Sequence, residues 1–231
     1  MAAQRERQRM SVEEWRDLER MSHDTKHEYI DGQIYAMSRG SLAHGRIRGN
    51  AVRTIEDALV ARKESCFVYN SDVAARLSSR CYTYPDVLVT CDERDQSSPD
   101  KNEIQSPQVI IEVLSDSTEA YDRGRKFGFY RACPAVQEYV LIATNYRTVE
   151  TYRRTLRGWT NYYSYGLGDE VELASLCIHF PVNVLYKDAG VPEALDNSEE
   201  KCRERKYHSL FFSPYLKDAQ FIQIDPHSQI H

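Results

Sequence analysis

Apolar positions recur along this chain with two different periods, and the switches between them outline its elements. From Ser11 the spacing is helical. Val12, Trp15 and Leu18 share a face, and Ser11 followed three residues on by Glu14 has the form of a capping box, which predicts a short helix to about Met21. In HEYIDGQIYAM two short apolar runs flank Asp31-Gly32, a dipeptide suited to the positive φ angles of a type I′ turn. That pattern predicts a β-hairpin. Helical spacing returns over residues 41–63, where Leu42, Ile47, Val52, Ile55, Leu59 and Val60 lie roughly on one stripe.

Strand signals then dominate. CFVYN, DVAARL and TYPDVLVTC are short runs rich in β-formers, and residues 92–106 read as an exposed polar loop. QVIIEVL, residues 108–114, is apolar apart from one acid, as expected of a central strand covered on both faces. Residues 117–133 are predicted helical, with Ser117 or Thr118 as the cap and Pro134 as the stop. EYVLIAT, RTVETYRR, WTNYYSY and VELASLCIHF look like an antiparallel set, followed by a helical turn over residues 181–186. The fold class is therefore α+β, a mixed sheet flanked by helices with additional antiparallel strands. Residues 1–10 are expected to be a mobile arm and residues 11–189 one domain. Residues 190–231 show no sustained period and are expected to form a poorly ordered or loosely docked tail.

Composition narrows the function classes. The 231 residues carry 30 Lys plus Arg against 35 Asp plus Glu, a net charge of −5, which rules out a strongly basic surface but not a local basic groove. No apolar run approaches the roughly 18 residues of a membrane helix, so no membrane partner is expected. The six cysteines form no C-x-x-C pair. Disulfides are permitted by the even count, but several cysteines sit in apolar strand-like runs, as buried free cysteines do. With an N-terminus that lacks an apolar signal segment, this favours a reducing cytoplasm.

Two acids occupy positions that should reject them. Asp86 in YPDVLV and Glu112 in VIIEVL each place a carboxylate in an apolar strand, at a cost of several kcal/mol unless paired, protonated or metal-bound. Either alone also reads as an exposed or ion-paired residue. Together, on adjacent strands, they suit a shared divalent cation, and hard oxygen donors suit Mg²⁺. Asp122, Lys126 and Tyr130 follow at helical spacing. Lys126 reads either as a surface ion pair with Asp122 or as an ammonium aimed over the sheet, and spacing leaves both open. Weaker candidates are His44 (also readable as a cap or surface residue), Gln108, Tyr130 (also readable as core), and Arg123, Arg125 and Arg131 as a basic rim or a solvated face.

The run YPDVLV…PQVIIEVLSDSTEAYDRGRKFGFYR…QEYVLI, with the earlier HEYIDGQIYAMS, resembles the Uma-two family of restriction-endonuclease-like proteins, within the PD-(D/E)XK nuclease superfamily. The resemblance covers roughly residues 11–187. It implies a mixed sheet flanked by helices and a divalent metal, Mg²⁺ with Mn²⁺ as a substitute, on Asp86 and Glu112. It further implies that Glu28 and a backbone carbonyl near Val113 complete the metal shell. The usual lysine two residues after the Glu is absent, because that position is Leu114, and Lys126 stands in for it. Asp116 replaces the more common proline of the following loop.

These readings together predict a Mg²⁺-dependent DNA endonuclease with Asp86, Glu112 and Lys126 as catalytic residues and DNA as its partner. A homodimer is plausible, since cutting both strands needs two sites. The acidic balance, Leu114 and the tail support an alternative, a non-catalytic nuclease-fold module that binds DNA or protein.

Overall fold

The computed structural model describes residues 9–22, 24–37, 40–97 and 102–193. Helix α1 (Val12–Met21) starts on the predicted capping box: the Glu14 N–H donates to Ser11 Oγ and the Ser11 N–H donates to Glu14 Oε2 at 2.7 Å. It buries Trp15, whose indole N–H donates to the His27 carbonyl. Strands β1 (His27–Ile30) and β2 (Gln33–Ala36) form the Asp31-Gly32 hairpin. Both turn residues have positive φ, 51° and 85°. The expected arm lies outside the described residues as far as residue 8; the Met10 N–H donates to the Gly32 carbonyl.

Helix α2 (Leu42–Arg62) is 21 residues long and buries Ile47, Ala51, Ile55 and Leu59, a stripe of four-residue steps. Leu42 and Val60, predicted to share that stripe, are 96% and 76% exposed. At about 100° per residue both lie on the side of the helix opposite that buried stripe, so they face solvent although Leu59, next to Val60, is buried.

Strands β3 (Phe67–Asn70), β4 (Ala74–Ser78), β5 (Cys81–Thr83) and β6 (Val87–Thr90) divide between two sheets. The stretch expected to be one exposed loop holds a helical turn, α3 (Glu93–Gln96), and a short strand, β7 (Glu103–Ile104). Thr90 and the Gln105 and Ser106 amides all bond the Asp95 carboxylate, which organises that stretch. Strand β8 (Val109–Val113) is wholly buried, as predicted.

Residues expected to form one α-helix instead make α4 (Glu119–Tyr121), a π-turn (Asp122–Lys126) and α5 (Phe127–Ala132). Thr118 stands at the start without a capping side-chain bond. Strands β9 (Glu138–Ile142), β10 (Val149–Thr155) and β11 (Gly158–Tyr165) are antiparallel neighbours. VELASLCIHF does not extend this set. It folds as its own hairpin of β12 (Glu170–Leu173) and β13 (Ile178–Pro181) around a 3₁₀ turn, Ala174–Leu176, and α6 (Val182–Leu185) follows.

The main sheet has the order β11-β10-β9-β8-β6-β3, antiparallel except for the β8–β9 pair. The second has the order β2-β1-β5-β4-β7. The α+β class with mixed sheets and flanking helices therefore holds. Because side chains alternate along a strand, Val87, Val89, Val109, Ile111 and Val113 pack with α2, while Leu88, Ile110 and Leu114 pack with Tyr130 on the opposite side.

The cysteine expectation needs correction. The register that pairs Phe67 with Thr90 sets Cys66 opposite Cys91, and the two are disulfide-bonded. Their 25-residue separation hides this in the sequence. Cys202 and the remainder of the tail from residue 194 lie outside the described residues. Among the described residues no helix is long and apolar enough to cross a membrane.

Candidate active site

Asp86 and Glu112 meet because of strand register. Strands β6 and β8 pair antiparallel with Val87 opposite Ile111, so the next rung sets Asp86 opposite Glu112. The Glu112 side chain turns to the face shared with Leu88 and Ile110, beneath the α4–π–α5 segment, whereas that of Asp86, just before β6, is met by His44 and Arg48 of α2. Asp86 Oδ2 accepts the Val113 N–H at 2.9 Å and lies 3.0 Å from His44 Nε2. Asp86 Oδ1 stands 4.0 Å from Arg48 Nη1. His44 and Arg48 are one turn apart near the start of α2, where Ser41 Oγ accepts the His44 N–H. Gly40 leaves the imidazole room, since a β-carbon there would stand 2.6 Å from His44 Nδ1.

Lys126 reaches the acids from the π-turn. Its Nζ lies 2.8 Å from Glu112 Oε1, 3.2 Å from Glu28 Oε1 and 3.8 Å from Asp122 Oδ1. The surface reading of Lys126 is therefore wrong: the residue is 5% exposed. A π-turn adds about one residue to the α-helical turn, so it re-aims the side chains on either side of it, and such turns recur at functional sites. Here it points Asp122 and Lys126 into the same space. Leu114, two residues after Glu112, is buried in the apolar cluster with Ile110 and Tyr130.

Glu28 comes from β1. Besides Lys126 it accepts the Tyr84 N–H at 3.3 Å and the Tyr121 hydroxyl at 3.2 Å. The Tyr130 hydroxyl donates to Glu112 Oε1 at 2.6 Å. Glu28, Asp86, Glu112, Asp122, His44, Val113 and Lys126 all line one cavity of about 620 Å³. Arg125 lines it too. Arg123 does not serve as a rim: it grips Glu119 and Glu150. Arg131 lies over the Phe127 ring, and Gln108 donates to the Ser175 carbonyl, away from the site. Asp116, in the place of the loop proline, accepts from the Asn145 amide.

Burial and neighbouring charges shift the titrating groups of the site. Burial pushes the Glu112 carboxyl up to about 8, against the pull of Lys126 and with Asp122 and Asp86 adding to the rise. Burial likewise raises Asp122. Burial alone would depress Lys126, yet Glu112, Glu28 and Asp122 hold its pKa well above the ordinary lysine value, so it is an ammonium at neutral pH. Four acids, each less than a tenth exposed, thus share the cavity with the Lys126 ammonium, with Arg48 4.0 Å from Asp86, and with Arg125 and Lys26 on its wall. Hard oxygen donors of this kind fit Mg²⁺ or Mn²⁺. Among the described residues no three His, Cys, Asp or Glu side chains are gathered tightly enough to hold an ion alone. Mg²⁺ does not require that, because it commonly takes one or two carboxylates and keeps its waters.

The sequence reading did not single out Asp122 as part of the site, or Arg48 at all. The four-residue step from His44 to Arg48 was the available signal for the arginine.

Residues 12–183 match the family model Uma2, described as "Putative restriction endonuclease". The chain belongs to the Uma2 family. It is 38% identical over 180 residues to the uncharacterised protein slr1290 of Synechocystis sp. (strain ATCC 27184 / PCC 6803 / Kazusa), covering 78% of this chain and 92% of that one. A second uncharacterised protein of that organism, sll1609, is 34% identical over 155 residues, covering 66% and 86%. The crystal structure of "a putative nuclease belonging to DUF820" from Anabaena variabilis ATCC 29413 superposes with a TM-score of 0.63 at 18% identity. That match covers 78% of this chain and 99% of the Anabaena chain. At that identity the likeness establishes the nuclease-like fold.

Proposed function

We propose that this Uma2 protein is a divalent-metal-dependent endonuclease that hydrolyses phosphodiester bonds in DNA. The observation carrying this reading is the pairing of Asp86 with Glu112 across β6 and β8, beneath the buried Lys126 ammonium. Family membership supports the nuclease class.

Asp86 and Glu112 would hold Mg²⁺ or Mn²⁺, with the Val113 carbonyl and, through water, Glu28 as further donors. A bound divalent cation supplies positive charge to the phosphate and to the attacking oxygen. Lys126, whose Nζ lies 2.8 Å from Glu112 Oε1, would orient the attacking water and offset charge on a non-bridging oxygen by donating hydrogen bonds. His44 and the Val113 N–H fix the Asp86 carboxylate from one side. Arg48 and Arg125 at the cavity wall attract the phosphate backbone that the net charge of −5 would otherwise repel.

Cleavage of plasmid and oligonucleotide DNA in Mg²⁺ or Mn²⁺, with Asp86→Asn and Glu112→Gln as controls, tests the reading. Cleavage by the wild type alone is expected. Equal activity in wild type and controls rejects the assignment, and DNA binding without cleavage favours the non-catalytic module. Two finer parts of the proposal have separate tests. A homodimer for double-strand cutting predicts twice the chain mass in sedimentation. A cytoplasmic setting predicts Cys66 and Cys91 as thiols in rapidly acid-quenched cells, whereas a fully oxidised pair points to an oxidising compartment.

A further inference from the structure

Glu112 turns its two carboxylate oxygens to different neighbours. Oε1 accepts the Tyr130 hydroxyl at 2.6 Å and lies 2.8 Å from Lys126 Nζ. Oε2 is met by the Asp86 N–H at 3.4 Å. Asp86 is sorted in the same way: Oδ2 takes the Val113 N–H and His44, while the nearest cation to Oδ1 is Arg48 at 4.0 Å. The least engaged oxygens of the pair are thus Glu112 Oε2 and Asp86 Oδ1.

Left to itself, a glutamate carboxylate exchanges its oxygens by rotating about its last torsion, which is broad and roughly two-fold. Lys126 is a weak lock against that rotation, because its flexible ammonium is shared among three acids. Tyr130 is a stiff one. Its ring is fully buried, packs on Tyr139 at 5.1 Å between centroids, and carries its hydroxyl on a rigid arm. Phenylalanine would fill the same apolar space, so packing alone does not account for the hydroxyl.

We infer that Tyr130 is a positioning residue: its hydroxyl commits Glu112 Oε1 to the protein and presents Oε2, beside Asp86, to the divalent cation. This rests on the metal-dependent reading above and adds the assignment of which oxygen serves the cation and what selects it.

The test is calorimetric titration of the full chain with Mn²⁺, comparing wild type and Tyr130→Phe, with thermal unfolding recorded for both. The expected result is a folded variant whose Kd for Mn²⁺ is about 10–100-fold higher, the usual cost of losing a partner that orients a metal ligand. A Kd within twofold of the wild type overturns the inference and leaves Tyr130 as core. Anomalous diffraction from wild-type crystals soaked in Mn²⁺ decides independently of how the variant folds. An ion on Glu112 Oε2 with the Tyr130 hydroxyl still on Oε1 supports the assignment, and an ion on Oε1 overturns it while the nuclease reading stands. A wild type that binds no Mn²⁺, with or without DNA, overturns both.

Discussion

On one face of the six-stranded sheet, Val87, Val89, Val109, Ile111 and Val113 press against Ile47, Ala51, Ile55 and Leu59 of α2. On the other, the residues that alternate with them include Glu112, and the overlying segment supplies Lys126 and Tyr130 rather than aliphatic side chains alone. The same two strands build both faces. The α2 face is mainly apolar, with Asn50 donating to the Leu185 and Lys187 carbonyls, so its main contribution is burial, at roughly 25 cal/mol per Å² of apolar surface removed from water. The opposite face gives up part of that gain to bury acids, which cluster around Lys126. A buried ion cluster is weak evidence for stability, and an acid that burial pushes up to about 8 in a cavity wall marks a candidate functional site.

The sharpest way to break this comparison is to neutralise the acids without changing their shape. Asp86→Asn and Glu112→Gln are expected to bring DNA cleavage down to background while near-native thermal stability is kept, as read by a nuclease assay beside calorimetric unfolding. A variant that cuts like the wild type removes the catalytic face from the argument.

Lys126→Met comes next. Turnover is expected to fall by about 10²–10³-fold, the usual cost of removing one charge-stabilising donor, with Mn²⁺ affinity no lower than in the wild type, because a competing cation has left the acids. Single-turnover kinetics and calorimetry read the two effects separately.

A smaller effect comes from pH. The metal-binding form of Glu112 is the carboxylate, and its raised pKa means that a proton must leave below about 8. Metal affinity should therefore rise about tenfold per pH unit on the acid side of that value and level off above it. Calorimetry in buffers of different ionisation enthalpy would show the released proton; an affinity flat from pH 6 to 8 contradicts the assignment.

The apolar face should respond in stability and not in chemistry. Ile111→Ala is expected to cost about 2–5 kcal/mol and Ile55→Val about 0.5–1.5 kcal/mol. Neither should change the Kd for Mn²⁺ of the folded protein, as measured by denaturant unfolding alongside titration.

Much of this was legible in the chain. The Asp31-Gly32 turn and the Ser11–Glu14 box are local devices whose geometry follows from a few residues, and both formed as predicted. An acid inside VIIEVL announces itself, because burial without a partner is costly. The hairpin of residues 170–181 was misread because its central 3₁₀ turn contains Leu176, whose burial mimics a continuous strand. Leu42 and Val60 lie on the side of α2 opposite Ile47, Ala51, Ile55 and Leu59, so a strict 3.6-residue period, applied position by position, already sets them off the buried stripe. Tyr130 was read mainly as core, and its ring is core; only its hydroxyl belongs to the site.

By itself the sequence determined which side chains share a strand face or a helix turn, since those follow from periods of two and 3.6 residues. It thereby put Glu112 on the same face as Ile110 and Leu114 and set Lys126 one turn from Asp122 and Tyr130. Only the tertiary structure decided that β6 pairs with β8 in the register that joins Asp86 to Glu112, and that β3 pairs with β6 to join Cys66 to Cys91. It also decided that a π-turn swings Lys126 inward to Glu28, which lies 98 positions earlier in the chain. Register and long-range approach are settled by burying whole faces at once, so no single residue or short segment carries their signal.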